Sequence, residues 1–255
     1  IPDHVTEIGS YSFKSCDSLK HIMFSEKSQL RIIGSKAFES CKFESITIPP
    51  HVIEIHKQAF QHSKLKQLKF SDNSKLKIIH DEAFSYCSIN VVQIPSSVIE
   101  IGERAFKNCH NLIDVIIPSS ILSIENYAFC NCSKLEHVYI PSFLTTIQKG
   151  TFIQCSSLKS VSIPQSVTEI CAFAFSEWYS LKNINIPSGV TKIGEFAFFR
   201  CRSITEIELP SLITEIPKST FEDCIEMRRI TIPSSLLIIG DNAFKGCYML
   251  KKLIY

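Results

Sequence analysis

Apolar residues return at fixed offsets along this chain, once in each of eleven similar units. The string that starts at Ile94, IPSSVIEIGERAFKNCHNLIDVI, recurs in altered form from one end to the other. One Phe column is unbroken: Phe13, Phe38, Phe60, Phe84, Phe106, Phe129, Phe152, Phe175, Phe198, Phe221 and Phe244. From Phe106 onward the step is always 23; before it the steps are 25, 22, 24 and 22. Two-residue insertions lengthen two units, in FSEKSQL (Phe24–Leu30) and FSDNSKL (Phe70–Leu76). Three other units lose one residue, near Phe43, Leu65 and Ile89. A fixed period of this size marks stacked coils, each of which buries its apolar face only against its neighbours.

Each unit reads in three parts. The first is LxxIxI, as in Leu158–Ile163, whose period-two alternation predicts a short strand with one buried face. A Pro then follows in nine units, from Pro2 to Pro233. Proline lacks the N–H that a sheet ladder needs, so it ends the strand and turns the chain. The second part, VTEI in Val167–Ile170, is expected to be a turn segment with its first and last residues pointing inward. The third is GxxAFxxCxxL, as in Gly102–Leu112. Its apolar offsets of 0, 1, 4 and 7 predict a short helix with one buried face.

The motif LxxIxIPxxVTxIGxxAFxxCxx resembles the BspA-type, or Treponema-type, leucine-rich repeat, and the likeness covers essentially all 255 residues. The resemblance implies an α/β repeat fold. It would be a right-handed leucine-rich-repeat solenoid of about eleven units, each with a short strand, a turn and a short helix, carrying one continuous parallel sheet. With strands about 4.8 Å apart, the body would be roughly 50 Å long and curved. The resemblance also implies a surface protein of a parasitic protozoan or host-associated microbe, secreted or displayed. Its role would be adhesion to host cells, matrix proteins or other microbes. The alternative is an intracellular scaffold that recruits a protein partner in the cytoplasm.

The repeat favours one elongated body over residues 1–255 rather than the two globular domains that this length would also allow. The chain opens mid-repeat at Ile1-Pro2 and closes at Leu253–Tyr255, where another unit would begin, so it reads as a fragment without its own caps. Uncapped end coils expose strand edges and invite end-to-end or side-by-side self-association.

A net charge of +2 and the lack of any Lys/Arg run longer than two argue against nucleic acid as the partner. No stretch approaches the ~18 apolar residues that direct membrane insertion needs. Nine of the eleven Cys share one repeat column, from Cys16 to Cys247, where the other two units carry Ser63 and Trp178. A site that accepts Cys, Ser or Trp is expected to hold a buried thiol rather than an obligate half-disulfide. Cys130 and Cys171 lie off the column and are the candidates for exposed, reactive thiols. No CxxC pair is present, and Cys130 and Cys132 have no ligands nearby in sequence, so neither a metal nor a cofactor is expected. Asn131-Cys132-Ser133 is a formal glycosylation sequon, but it falls in the expected helix and, with Cys in the middle, is a poor acceptor.

The candidate binding surface is the outward side of the LxxIxI strands, where a protein or glycoprotein ligand would dock. Its candidate residues are Asp114, Ile116, His137, Tyr139, Asn183, Asn185, Glu206, Glu208 and Arg229. Ile116, His137 and Tyr139 form an amphipathic patch of the kind that anchors interfaces. Glu206 and Glu208, two apart on one strand, point the same way and suggest a glycosidase-like carboxylate pair. They belong to an open sheet, however, and Arg229 is expected to neutralise one of them. No nucleophile stands in register with His137 for triad chemistry, and no Gly-rich phosphate loop is present. The reading is therefore a non-enzymatic interaction module.

Overall fold

In the computed structural model, which describes residues 1–255, eleven coils stack in parallel register. Two strand columns run along the stack. One comes from LxxIxI: Ser45–Ile48, Gln67–Phe70, Val91–Gln93, Asp114–Ile116 and His137–Val138 form a five-stranded sheet. Single bridges, Tyr139 to Ser162 and Ser162 to Asn185, carry the pairing across the next two coils. Glu206–Glu208, Arg229–Thr231 and Lys252–Ile254 then form a three-stranded sheet. The expected single continuous sheet is thus interrupted at mid-array, where the coils at Ser162 and Asn185 keep only one bridging residue each.

The second column corrects another expectation. The VTEI segments, read as turns, are two-residue strands from Glu7–Ile8 to Ile238–Ile239. The first six of them pair in one parallel sheet. Val167 and Ile170 point inward as expected.

The third part of the coil contains no helix. In the coil of Phe38, alternate N–H groups take different partners. Those of Lys36, Phe38 and Ser40 donate to the next coil, to the carbonyls of Lys57, Ala59 and Gln61, at 3.0, 2.7 and 2.8 Å. Those of Ala37, Glu39 and Cys41 close tight turns onto Gly34, Lys36 and Phe38, each at 3.2 Å. An α-helix would spend every N–H on its own chain, four residues back. Here half of them hold coil to coil, so the turn segment is a third ladder. Two residues per coil, two before and two after the Phe, adopt left-handed backbone; Ser40 (φ 61°) and Asn108 (φ 59°) are examples. These left-handed residues, four apart, interrupt the backbone that a helix would need. No Val, Ile or Thr occupies these positions, where a branched Cβ would clash.

The core runs through the stack as one cluster of 67 buried residues. Its spine is the Phe column, with neighbouring rings stacked at centroid distances from 5.2 to 6.4 Å. The nine Phe of the inner coils are fully buried, whereas Phe13 and Phe244 in the end coils are partly exposed. Beside this spine each column Cys after Cys16 donates its thiol to the Phe carbonyl of the preceding coil, as Cys109 does to Phe84 and Cys201 to Phe175, at 3.2 and 3.1 Å. Trp178 takes over that role: its Nε1–H donates to the Phe152 carbonyl at 2.6 Å. The Cys, Ser and Trp that share this column all carry a donor hydrogen.

Candidate functional site

The LxxIxI strands place the outward strip in strict register. Val91, Asp114 and His137 are successive Cα partners, as are Glu206, Arg229 and Lys252. Between them Val92, Val115 and Ile207 point inward and are buried, so the intervening side chains are held outward by strand alternation. Of the nine candidate residues, Asp114 is half-buried and the other eight are exposed.

They fall into separate zones. Ile116, His137 and Tyr139 line one shallow groove together with Asp114, Ser160 and Ser162. Ile116 is 49% exposed and Tyr139 58%, high values for apolar and aromatic side chains. Asn183 and Asn185 lie further along; Asn185 is bridged to Ser162. Arg229 pairs with Glu206, as the sequence suggests. Glu208 stands opposite Thr231. The pair faces solvent beside Arg228, Lys251 and Lys252, in a shallow basic hollow rather than an enclosed cleft.

Sequence reasoning missed the walls around this strip. Both insertions stand beside the strand ends. Ser71, Asp72 and Ser74 border a groove whose other side is Gln93, Ser96 and Ile116. Ser25 and Glu26 face Asp72 and Asn73 across the Pro49-Pro50 coil. Both insertions replace the strand-ending Pro, a signal visible in the alignment of units.

The cysteines are all free. Burial pushes the thiols of Cys87 and Cys201 up to about 12, so they stay protonated and inert at neutral pH. The two thiols outside the column are not the reactive ones expected. Cys130 is buried, and burial raises its pKa. Cys171 is half-buried, and burial together with the neighbouring Glu169 pushes it up to about 11. Asn131 of the sequon is in left-handed backbone, and its amide donates to Asn108 Oδ1 at 2.8 Å.

One cluster on the other strand column was not foreseen. Glu54, His56 and His80 present ligand-type atoms that all lie within 4.8 Å of one another. His80 Nε2 is 3.0 Å and His56 Nε2 3.2 Å from Glu54 Oε2. The hydrogen bond from His80, above all, holds the Glu54 carboxyl below its ordinary value. Both histidines occupy the repeat position that Gly34 and Gly102 hold in the flanking coils. No helix is long and apolar enough to cross a membrane.

A parallel stack with a strand-lined outward strip defines a repeat protein of the leucine-rich class. The match to the BspA type leucine rich repeat region covers residues 1–87, 54–177 and 145–255 in six copies, and the chain belongs to that family. No curated protein matches it. Among solved structures it is similar to a leucine-rich repeat protein from Bacteroides ovatus: 30% identity, TM-score 0.79, over 99% of this chain and 71% of that one. It is also similar to a leucine rich cell surface protein from Faecalibacterium prausnitzii, at 28% identity and TM-score 0.61, over 100% of this chain and 78% of that one. The pneumococcal vaccine antigen PcpA shares the fold, at 20% identity and TM-score 0.62, over 100% of this chain and 78% of that one.

Proposed function

We propose that this chain is a non-enzymatic interaction module of a cell-surface adhesin-like protein, and that it binds a protein or glycoprotein on a host or microbial surface. The observation that carries the reading is the exposed apolar and aromatic patch of Ile116, His137 and Tyr139. It lies on a strand-lined face whose interior positions repeat while its outward positions change. Large amphipathic side chains fixed at low entropy cost are what an interface centre uses. The groove walled by Ser71–Ser74 extends that patch toward the N-terminal coils. The cell-surface description of the F. prausnitzii structure supports the location. Glu206 and Glu208 contribute polar contacts rather than acid–base chemistry, because Arg229 neutralises the first and solvent reaches both.

The test is a binding screen of the purified chain against host cells, matrix proteins and bacterial surfaces. Replacing Ile116, His137 and Tyr139 with Ser should lose more than about tenfold in affinity, as loss of interface anchors does, with the fold intact by circular dichroism. Unchanged binding moves the interface to another face. Antibody staining of intact, unpermeabilised cells checks the location. Eleven unpaired thiols favour a second reading, an intracellular scaffold, which staining only after permeabilisation would select.

A further inference from the structure

We propose that Glu54, His56 and His80 form a site for a divalent transition-metal cation, best suited to zinc, with an open coordination position facing solvent. Solenoid geometry assembles it. Glu54 and His56 are two apart on one extended segment and point to the same side, with buried Ile55 between them pointing inward. The next coil sets Ile78 beside Glu54 and, at the following outward position, His80. Three corners of this rectangle are therefore metal ligands, and the fourth is an isoleucine.

Two imidazoles and one carboxylate are the donor set of three-ligand zinc sites, whose fourth position holds water or a substrate atom. Zinc bonds of about 2.0–2.2 Å in tetrahedral geometry set ligand atoms roughly 3.3 Å apart. The two Glu54–imidazole distances, 3.0 and 3.2 Å, already lie near that edge length. The imidazole rings meet at a centroid distance of 5.1 Å with 67° between planes, so their nitrogens converge without stacking. Glu54 already bonds to His80 and has His56 Nε2 at 3.2 Å, and a cation would sit among these atoms. Its carboxylate is ionised at neutral pH and supplies the negative charge that a dication needs.

The surroundings leave room for the ion. Gly34 and Gly102 hold the same repeat position on either side of the two histidines and offer no side chain that would cover them. The three side chains are 35–37% exposed. An ion there could take its remaining ligand from water or from a carboxylate or imidazole of a docking partner. The surface would then be one that a metal joins to a second molecule.

The experiment is a calorimetric titration of zinc chloride into the metal-free chain of residues 1–255 at pH 7.5 with a non-thiol reductant. One equivalent should bind. Glu54→Gln, His56→Gln and His80→Gln should each weaken it by more than the about 10–100-fold that loss of a mere ligand-orienting partner costs. Ile78→His, which completes the fourth corner, should tighten it. All four positions are at least partly solvent-exposed, so the variants should fold, and circular dichroism checks this. Failure of the wild-type chain to bind zinc at millimolar concentration overturns the proposal. So does an isotherm that none of the four substitutions moves, which would place the ion elsewhere.

Discussion

The stack has an irregular end and a regular end. From Phe106 to Phe244 the step from one spine Phe to the next never changes, whereas before Phe106 it varies between 22 and 25. Both halves bury the same spine: Phe38–Phe60 and Phe60–Phe84 stack at 5.2 Å, and Phe198–Phe221 and Phe221–Phe244 at 5.5 Å. What differs is the outside. The irregular half carries both insertions, the groove walls that they build and the Glu54–His56–His80 cluster. Extra or missing residues are absorbed at coil corners without disturbing the interior, because loop length costs little free energy. The repeat therefore specifies the fold, and departures from the repeat carry the local chemistry.

If that contrast holds, loss of a spine ring should cost the same in either half. Phe60→Ala and Phe152→Ala should each destabilise by about 3–5 kcal/mol, because each leaves a ring-sized cavity between two coils. Coupling between neighbouring coils should spread the damage along the array. Urea unfolding measures both. A Phe60 variant close to wild type would show that the irregular coils are packed differently after all.

A smaller effect should separate the halves. Trp178 is the regular half's one departure at the Cys column, and the Phe152–Phe175 distance widens to 6.4 Å beside it. Trp178→Cys restores the column residue and keeps a donor for the Phe152 carbonyl, but it leaves unfilled the space of an indole. The expected cost is about 3 kcal/mol, the lower end of the range for aromatic truncation. A variant as stable as wild type would mean that the coils close up around the smaller side chain.

The inward half of the architecture was legible in the sequence, and the outward half only partly. Column identity revealed the Phe spine and the buried thiols, since burial repeats what it selects. The helix reading failed for a physical reason. Offsets of 0, 1, 4 and 7 fit a helical face, yet they also fit successive tight turns in which Phe38 points inward and alternate N–H groups reach the next coil. The absence of branched residues two before and two after each Phe was the available signal. His56 and His80 are a full coil apart along the chain and look unrelated until they are placed in adjacent coils. By contrast, the placement of His137 and Tyr139 on the outward side followed directly from alternation.

That turn geometry gives a test of its own, smaller again. Ser40→Val puts a branched side chain at φ 61°, where β-branched residues are outliers, and should cost about 1 kcal/mol beyond what the Ser Cβ already bears. Ser40→Gly removes the Cβ penalty and should be close to neutral. Thermal melts of the two variants read the difference. Equal melting temperatures would argue that the turn segment can relax toward a helix.

The smallest expected effect bears most directly on the contrast. Deleting Asp72 and Asn73 shortens the second insertion toward the length of a regular coil. Phe70 and Leu76 then stand in the repeat positions of Ile117 and Ile121. Leu76 is fully buried and anchors the far side of the loop, while Asp72 and Asn73 are exposed. The change in stability should stay below about 0.6 kcal/mol, the free energy that even a doubling of loop length costs. Asp72 and Asn73 both line the groove that runs to Ser25 and Glu26, and Asp72 also borders the groove beside Ile116. The deletion should therefore remove part of the wall while leaving the strip itself in register. If ligand affinity falls while denaturant unfolding is unchanged, the insertion serves binding and the coil serves folding. A loss of stability several times larger than that loop-length term would make the loop part of the frame, and the division between the two halves would be wrong.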